Sequence, residues 1–105
     1  MSNTTNETSP LSLCIPRLTG EIKETFIRHV FNKLNLGQIG RIDLIVKRNE
    51  KNEIYKTAFI HYNNWNINDN TIYIKNRLQN NQDIKIVYDD PWYWKVSLNK
   101  FSKKH

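Results

Sequence analysis

The sequence predicts an α+β domain: a four-stranded antiparallel sheet with two helices on one of its faces. Three observations predict it. Ile22, Phe26, Val30 and Leu34 recur every four positions, the spacing of one helix face. Separate stretches alternate apolar and polar side chains with the period of two that marks a half-buried strand. In chain order the elements run strand, helix, strand, strand, helix, strand, an order that a sheet layered on helices satisfies. With 105 residues the chain is one domain, and 11% aromatic residues is too many for a disordered one.

Residues 1–10, MSNTTNETSP, lack apolar periodicity and read as a flexible arm. LSLCIPRL, residues 11–18, reads as the first strand, with Leu13 and Ile15 on one face and Cys14 on the other. Pro16 has no N–H to give to a ladder, so that strand should end or turn near it. Thr19 is the expected N-cap of the first helix, whose start Glu21 and Glu24 favour. Ile27 and Phe31 widen its apolar stripe, and Gly37 is the expected stop. GQIGRIDLIVKR follows as a strand with Ile42, Leu44 and Val46 inward and Asp43, Ile45 and Lys47 outward. The charged loop RNEKNEI joins it to YKTAFIHY, residues 55–62, as a long hairpin. In YKTAFIHY the residues Tyr55, Thr57, Phe59 and His61 face one way and Lys56, Ala58, Ile60 and Tyr62 the other. In NNWNINDNTIYIKNRLQNN, Ile67, Thr71, Ile74 and Leu78 fit a helix that Asp69 would cap, although TIYIK also alternates like a strand. DIKIVY closes the fold as a strand with Ile84, Ile86 and Tyr88 inward and Lys85 and Val87 outward.

The expected arrangement is the ferredoxin-like βαββαβ plan over residues 11–88, with residues 89–105 as an aromatic and basic extension. It leaves one sheet face open, carrying Cys14, Asp43, Ile45, Lys47, Tyr55, Thr57, Phe59, His61, Lys85 and Val87. The net charge is +6, and all 10 acids precede residue 91, whereas Lys95, Lys100, Lys103 and Lys104 follow it. A basic end after a folded unit suits a polyanion such as a phosphate backbone. One cysteine and three scattered histidines offer no disulfide framework and no zinc spacing, so no metal or other cofactor is expected. No apolar run is long enough to span a bilayer and the first residues do not read as a secretory signal, so the expected location is intracellular. His29, His61 and His105 suggest no nucleophile–base pair, and Asp89 and Asp90 should point to opposite faces of a strand. A non-enzymatic role is expected.

YKTAFIHY resembles the third-strand octamer of the RNA recognition motif, K/R-G-F/Y-G/A-F-V-x-F/Y, at Ala58, Phe59, Ile60 and Tyr62. Leu13 to Leu18 resembles that family's first-strand hexamer, with Cys14 where a stacking aromatic usually stands, and Thr57 replaces another outward ring. GQIGRIDLI is similar to its second strand, and the resemblance covers residues 11–88. It implies single-stranded RNA as partner. Phe59 would stack on a base, with Tyr55 assisting and Cys14, Thr57 and His61 completing the contact face. Arg17, Lys47, Lys85, Lys95 and the tail lysines would meet phosphates.

DDPWYWKVSLNK, residues 89–100, allows two readings: Trp92 and Trp94 cover the hydrophobic domain, or they supply the rings that Cys14 and Thr57 lack. Its DPW-aromatic-W-K-V run also resembles the ending of small proteins of large DNA viruses. The alternative partner is a protein, or a second copy of the chain, on the same open face through Ile45, Val87 and the tryptophans.

Overall fold

A computed structural model describes residues 11–99. The elements are β1 (Ser12–Thr19), α1 (Glu24–Leu34), β2 (Gly37–Arg48), β3 (Ile54–Trp65), α2 (Asp69–Gln79), β4 (Ile84–Asp89) and β5 (Trp92–Leu98). The strands form one antiparallel sheet in the order β2-β3-β1-β5-β4. The domain is therefore α+β with two helices, as expected, but its sheet has five strands and not four. DIKIVY does not lie beside β1; it is the outer edge, and the segment expected as an extension takes the inner place.

Burial explains the difference. WYWKVSL alternates as strictly as any strand of the chain, and Trp94 and Val96 are 4% and 0% exposed. Trp94 stacks on Tyr88 at 4.4 Å between ring centroids and on Phe31 of α1 at 6.3 Å, and meets Phe26 edge-on at 5.9 Å. A strand carrying the largest apolar side chain of the region is driven under a helix, where that area leaves water. Pro91, reached through a cis Asp90–Pro91 peptide, turns the chain back along β4. The covering reading therefore holds for Trp94. Trp92, at 63%, remains exposed.

The helices form where the patterns place them, with different caps. Thr19 belongs to β1, its carbonyl accepting from Ile22 N (3.2 Å), and α1 starts after Lys23 without a side-chain cap. It ends on Asn35, whose φ of 54° is a left-handed conformation that asparagine tolerates. Gly37 opens β2 instead of stopping the helix. A Cβ there would run into the Asn64 carbonyl of β3, so the close approach of two backbones needs glycine. Asn68, not Asp69, caps α2: its side chain accepts from Thr71 N (3.0 Å) while Thr71 Oγ1 accepts from Asn68 N (2.9 Å). Trp65 Nε1 donates to Thr71 O (3.2 Å), tying that first turn to the end of β3. Both helices lie on one face, over Leu13, Ile15, Ala58, Ile60 and Val96. No helix among the described residues is long and apolar enough to cross a membrane.

Trp94→Ala should cost about 3–5 kcal/mol in urea unfolding, whereas Trp92→Ala should stay within about 0.5 kcal/mol of the parent. A chain ending at Tyr88 should lose its cooperative transition. Equal effects of the two tryptophans would contradict the placement of β5.

Candidate nucleic-acid interface

The register of the ladders lays the open face out in rows. Arg41, His61 and Ser12 are neighbours across β2, β3 and β1; the next row is Asp43, Phe59, Cys14 and Ser97, the last on β5. Ile45 and Thr57 follow, then Lys47, Tyr55 and Thr19. On the outer pair Lys85 faces Lys95 and Val87 faces Tyr93. Because Trp94 and Val96 point inward, Tyr93, Lys95 and Ser97 point outward.

Pro16 breaks this regularity. Without an N–H it cannot continue the ladder, and the register of β1 on β3 shifts between Ile15 and Leu18. The β1–β5 ladder is correspondingly short: Leu13 pairs with Leu98 and Cys14 with Ser97, and Asn99 N donates to Ser12 O at 2.8 Å. Thr57 Oγ1 donates to the freed Pro16 carbonyl (3.0 Å) and is 4% exposed. Beyond the bulge the sheet opens into a cleft of about 550 Å3. Arg17, Lys47, Tyr55 and Phe59 line one side of it, Asn81, Gln82 and Asp83 of the α2–β4 connection another.

The charges on this face are unevenly committed. Arg17 lies 4.3 Å over the Tyr55 ring and Lys85 Nζ lies 4.7 Å over Tyr93. Among the described residues, none of Arg17, Lys47, Lys85 and Lys95 forms an ion pair. Arg41 by contrast is held by Asp43 at 3.0 Å. Partial burial pushes the Cys14 thiol above its ordinary pKa, against the opposing pull of the Lys47 charge and a hydrogen bond with Ser97. Cys14 is thus a neutral side chain at the cleft, with neither the ring nor the thiolate to act as more.

A line of hydrogen bonds that the sequence did not suggest links the first row to the second. Ser12 Oγ is 2.8 Å from His61 Nδ1, and His61 Nε2 is 3.0 Å from Asp43 Oδ2. With the proton on Nε2, the ring donates to Asp43 and accepts from the Ser12 hydroxyl. A hydroxyl, imidazole and carboxylate in line can activate a nucleophile, but Ser12 is only 8% exposed and the cleft does not include it. The line instead fixes His61 and Asp43 beside Phe59. Desolvation, the largest single influence, pushes the Asp43 carboxyl up, but hydrogen bonds from His61 and Arg41 together with the Arg41 charge outweigh it and hold its pKa below 3.8.

Of the residues expected at the site, Phe59, Tyr55, Cys14, Arg17, Lys47 and His61 gather on β1, β2 and β3, and Lys85 and Lys95 lie across β5 and β4. Thr57 is on this face but buried under the bulge. Trp94 is in the core, on the other face of the sheet. Tyr93, 46% exposed, takes the place expected of a tryptophan, and the strict alternation of β5 was the signal for it. The arm 1–10 and the tail lysines Lys100, Lys103 and Lys104 lie outside the described residues. No group of three or more potential metal ligands occurs among the described residues. Comparison of the chain with known protein families, curated proteins and solved structures finds no match.

Thr57→Val should cost about 1–3 kcal/mol, the penalty for leaving the Pro16 carbonyl unpaired, and Thr57→Ser should restore most of it. The depressed Asp43 pKa stabilises the fold above pH 3.8, an advantage lost as pH falls through the lower folded value. Asp43→Asn should therefore lose stability against the parent at pH 6 and not at pH 2, read from urea midpoints at the two values.

Proposed function

We propose that the open sheet face is a single-stranded RNA-binding surface and that the protein is a binding module without catalytic activity. The observation that carries this reading is the interleaving, across all five strands, of rings with cations that no carboxylate among the described residues holds, two of which, Arg17 and Lys85, rest on the rings of Tyr55 and Tyr93. Phe59, Tyr55 and Tyr93 offer ring faces, and Arg17, Lys47, Lys85 and Lys95 have no acidic partner among the described residues. Stacking on aromatic rings tolerates any base, while cations spaced along a strand's path neutralise its phosphates. Asp43 would repel a phosphate were it bare, but Arg41 and His61 occupy its oxygens.

The finer fold assignment follows the same logic. We read the domain as an elaborated ferredoxin-like βαββαβ unit of the RNA recognition motif type, in which β5 fills the place of the fourth strand beside β1 and β4 is an added edge. The arrangement of β2, β3, β1 and β5 supports this. A protein partner is the second reading, favoured by Ile45 and Val87, 43% and 57% exposed on the same face.

A labelled mixed-sequence RNA should bind with a strong salt dependence. Phe59→Ala should weaken it by about 1–3 kcal/mol, roughly 5- to 150-fold in Kd, at unchanged urea midpoint. Lys47→Ala should instead lower the slope of log K on log salt by about one. Unaltered RNA affinity in Phe59→Ala would remove the sheet face as the RNA site and leave the protein partner.

A further inference from the structure

We infer that the cleft behind the Pro16 bulge holds one nucleotide and selects bases that carry an exocyclic amino group over uracil. This inference rests on the nucleic-acid reading of the open face and adds to it a base-reading site off the sheet plane.

The cleft is the consequence of one residue. Pro16 interrupts the ladder of β1 on β3, which resumes in a shifted register at Leu18, β5 pairs with β1 only at Leu13 and Cys14, and the sheet opens between them. Its volume of about 550 Å3 is within the range of about 300–1,000 Å3 typical of small-molecule sites. Leu78, 1% exposed, is the apolar residue that α2 contributes to its lining. The ring of Phe59 reaches the cleft from the open face, so a strand stacked there can turn one base inward without leaving the surface. Arg17 and Lys47 sit where the phosphate of that nucleotide would pass.

The third side of the cleft supplies the reading groups. Asn81, Gln82 and Asp83 follow α2, with Asn81 at φ 63°. Their backbones are committed: Asn81 N donates to Leu78 O (3.1 Å), Gln82 N to Arg77 O (2.9 Å), and Asp83 O accepts from Arg77 Nη2 (2.8 Å). Among the described residues their side chains have no hydrogen-bond partner. The segment is thus held firmly while two amides and a carboxylate remain available. An ionised carboxylate only accepts, so it requires a donor on the base. Adenine, cytosine and guanine present an exocyclic amino group; uracil presents carbonyl oxygens there and would leave the carboxylate facing an acceptor. Discrimination of this kind exceeds what shape alone gives, because the mismatched polar groups stay unpaired.

The test compares short oligoadenylate, oligocytidylate and oligouridylate by anisotropy on the full chain, with free adenosine and cytidine monophosphates as competitors. The parent should prefer adenylate or cytidylate to uridylate by about tenfold. Asp83→Asn, which keeps the shape but can donate as well as accept, should lose that preference by raising uridylate affinity. Asn81→Gly with Gln82→Ala, which keeps the left-handed backbone at residue 81, should weaken the preferred oligomer alone. Direct binding of the free monophosphates, read from amide shifts at Asn81, Gln82 and Asp83, would support the cleft with a mononucleotide as its ligand, even if no oligomer bound. Equal affinity of the parent for all three oligomers, still lost in Phe59→Ala, would overturn the cleft and leave the open-face reading standing. Absence of binding by every oligomer and monophosphate would overturn both.

Discussion

The packing of Trp94 against Tyr88, Phe26 and Phe31 is the interaction on which the rest of this structure depends. It takes the most apolar segment of the C-terminal region and fixes it beneath α1. Once the indole is inward, alternation decides everything else on β5: Val96 joins the core, and Tyr93, Lys95 and Ser97 turn to the open face. The same anchoring forces β4 outward, because β5 occupies the position beside β1. A surface that would have had four strands gains a fifth, with the Tyr93 ring and Lys95.

The second constraint is local and opposite in effect. Trp94 pulls β5 in, and Pro16 prevents it from closing fully on β1. The bulge would cost an unpaired carbonyl had Thr57 not been there to donate to it. That is the physical role of a residue standing where a stacking ring would be expected: it trades base contact for a stable opening in the sheet. Cys14 makes the same exchange on the neighbouring strand, being small enough to leave Phe59 and Ser97 accessible beside it.

Much of the fold was legible because periodicity is a local signal. Both helices and the strands DIKIVY, YKTAFIHY and GQIGRIDLIVKR lie where the patterns put them, but Val46, expected inward, is 61% exposed near the free end of the β2–β3 hairpin, and Ile67, expected on the second helix, precedes α2 and is also exposed. The fifth strand was legible too in WYWKVSL, but residues 89–105 read as an extension beyond the fold when Pro91 lies in the turn of a hairpin. Which of two alternating faces is buried depends on what α1 presents, and that is a tertiary fact. The Ser12–His61–Asp43 line was hidden for the same reason, since residues 12, 43 and 61 meet only through the register of three strands. The caps missed by one residue or more at Asn35 and Asn68, where several asparagines compete for each cap position.

The account's central claim is that the open face, extended by β5, is the surface that meets RNA. Backbone amide shifts of the isotopically labelled protein, followed while single-stranded RNA is added, test it most directly. The account predicts shifts at Cys14, Phe59, Lys95 and Ser97 and around the bulge at Arg17, with Ile72 and Tyr73, two α2 residues exposed to solvent, unmoved. Shifts concentrated on the helices, with the β1, β3 and β5 positions silent, would contradict it.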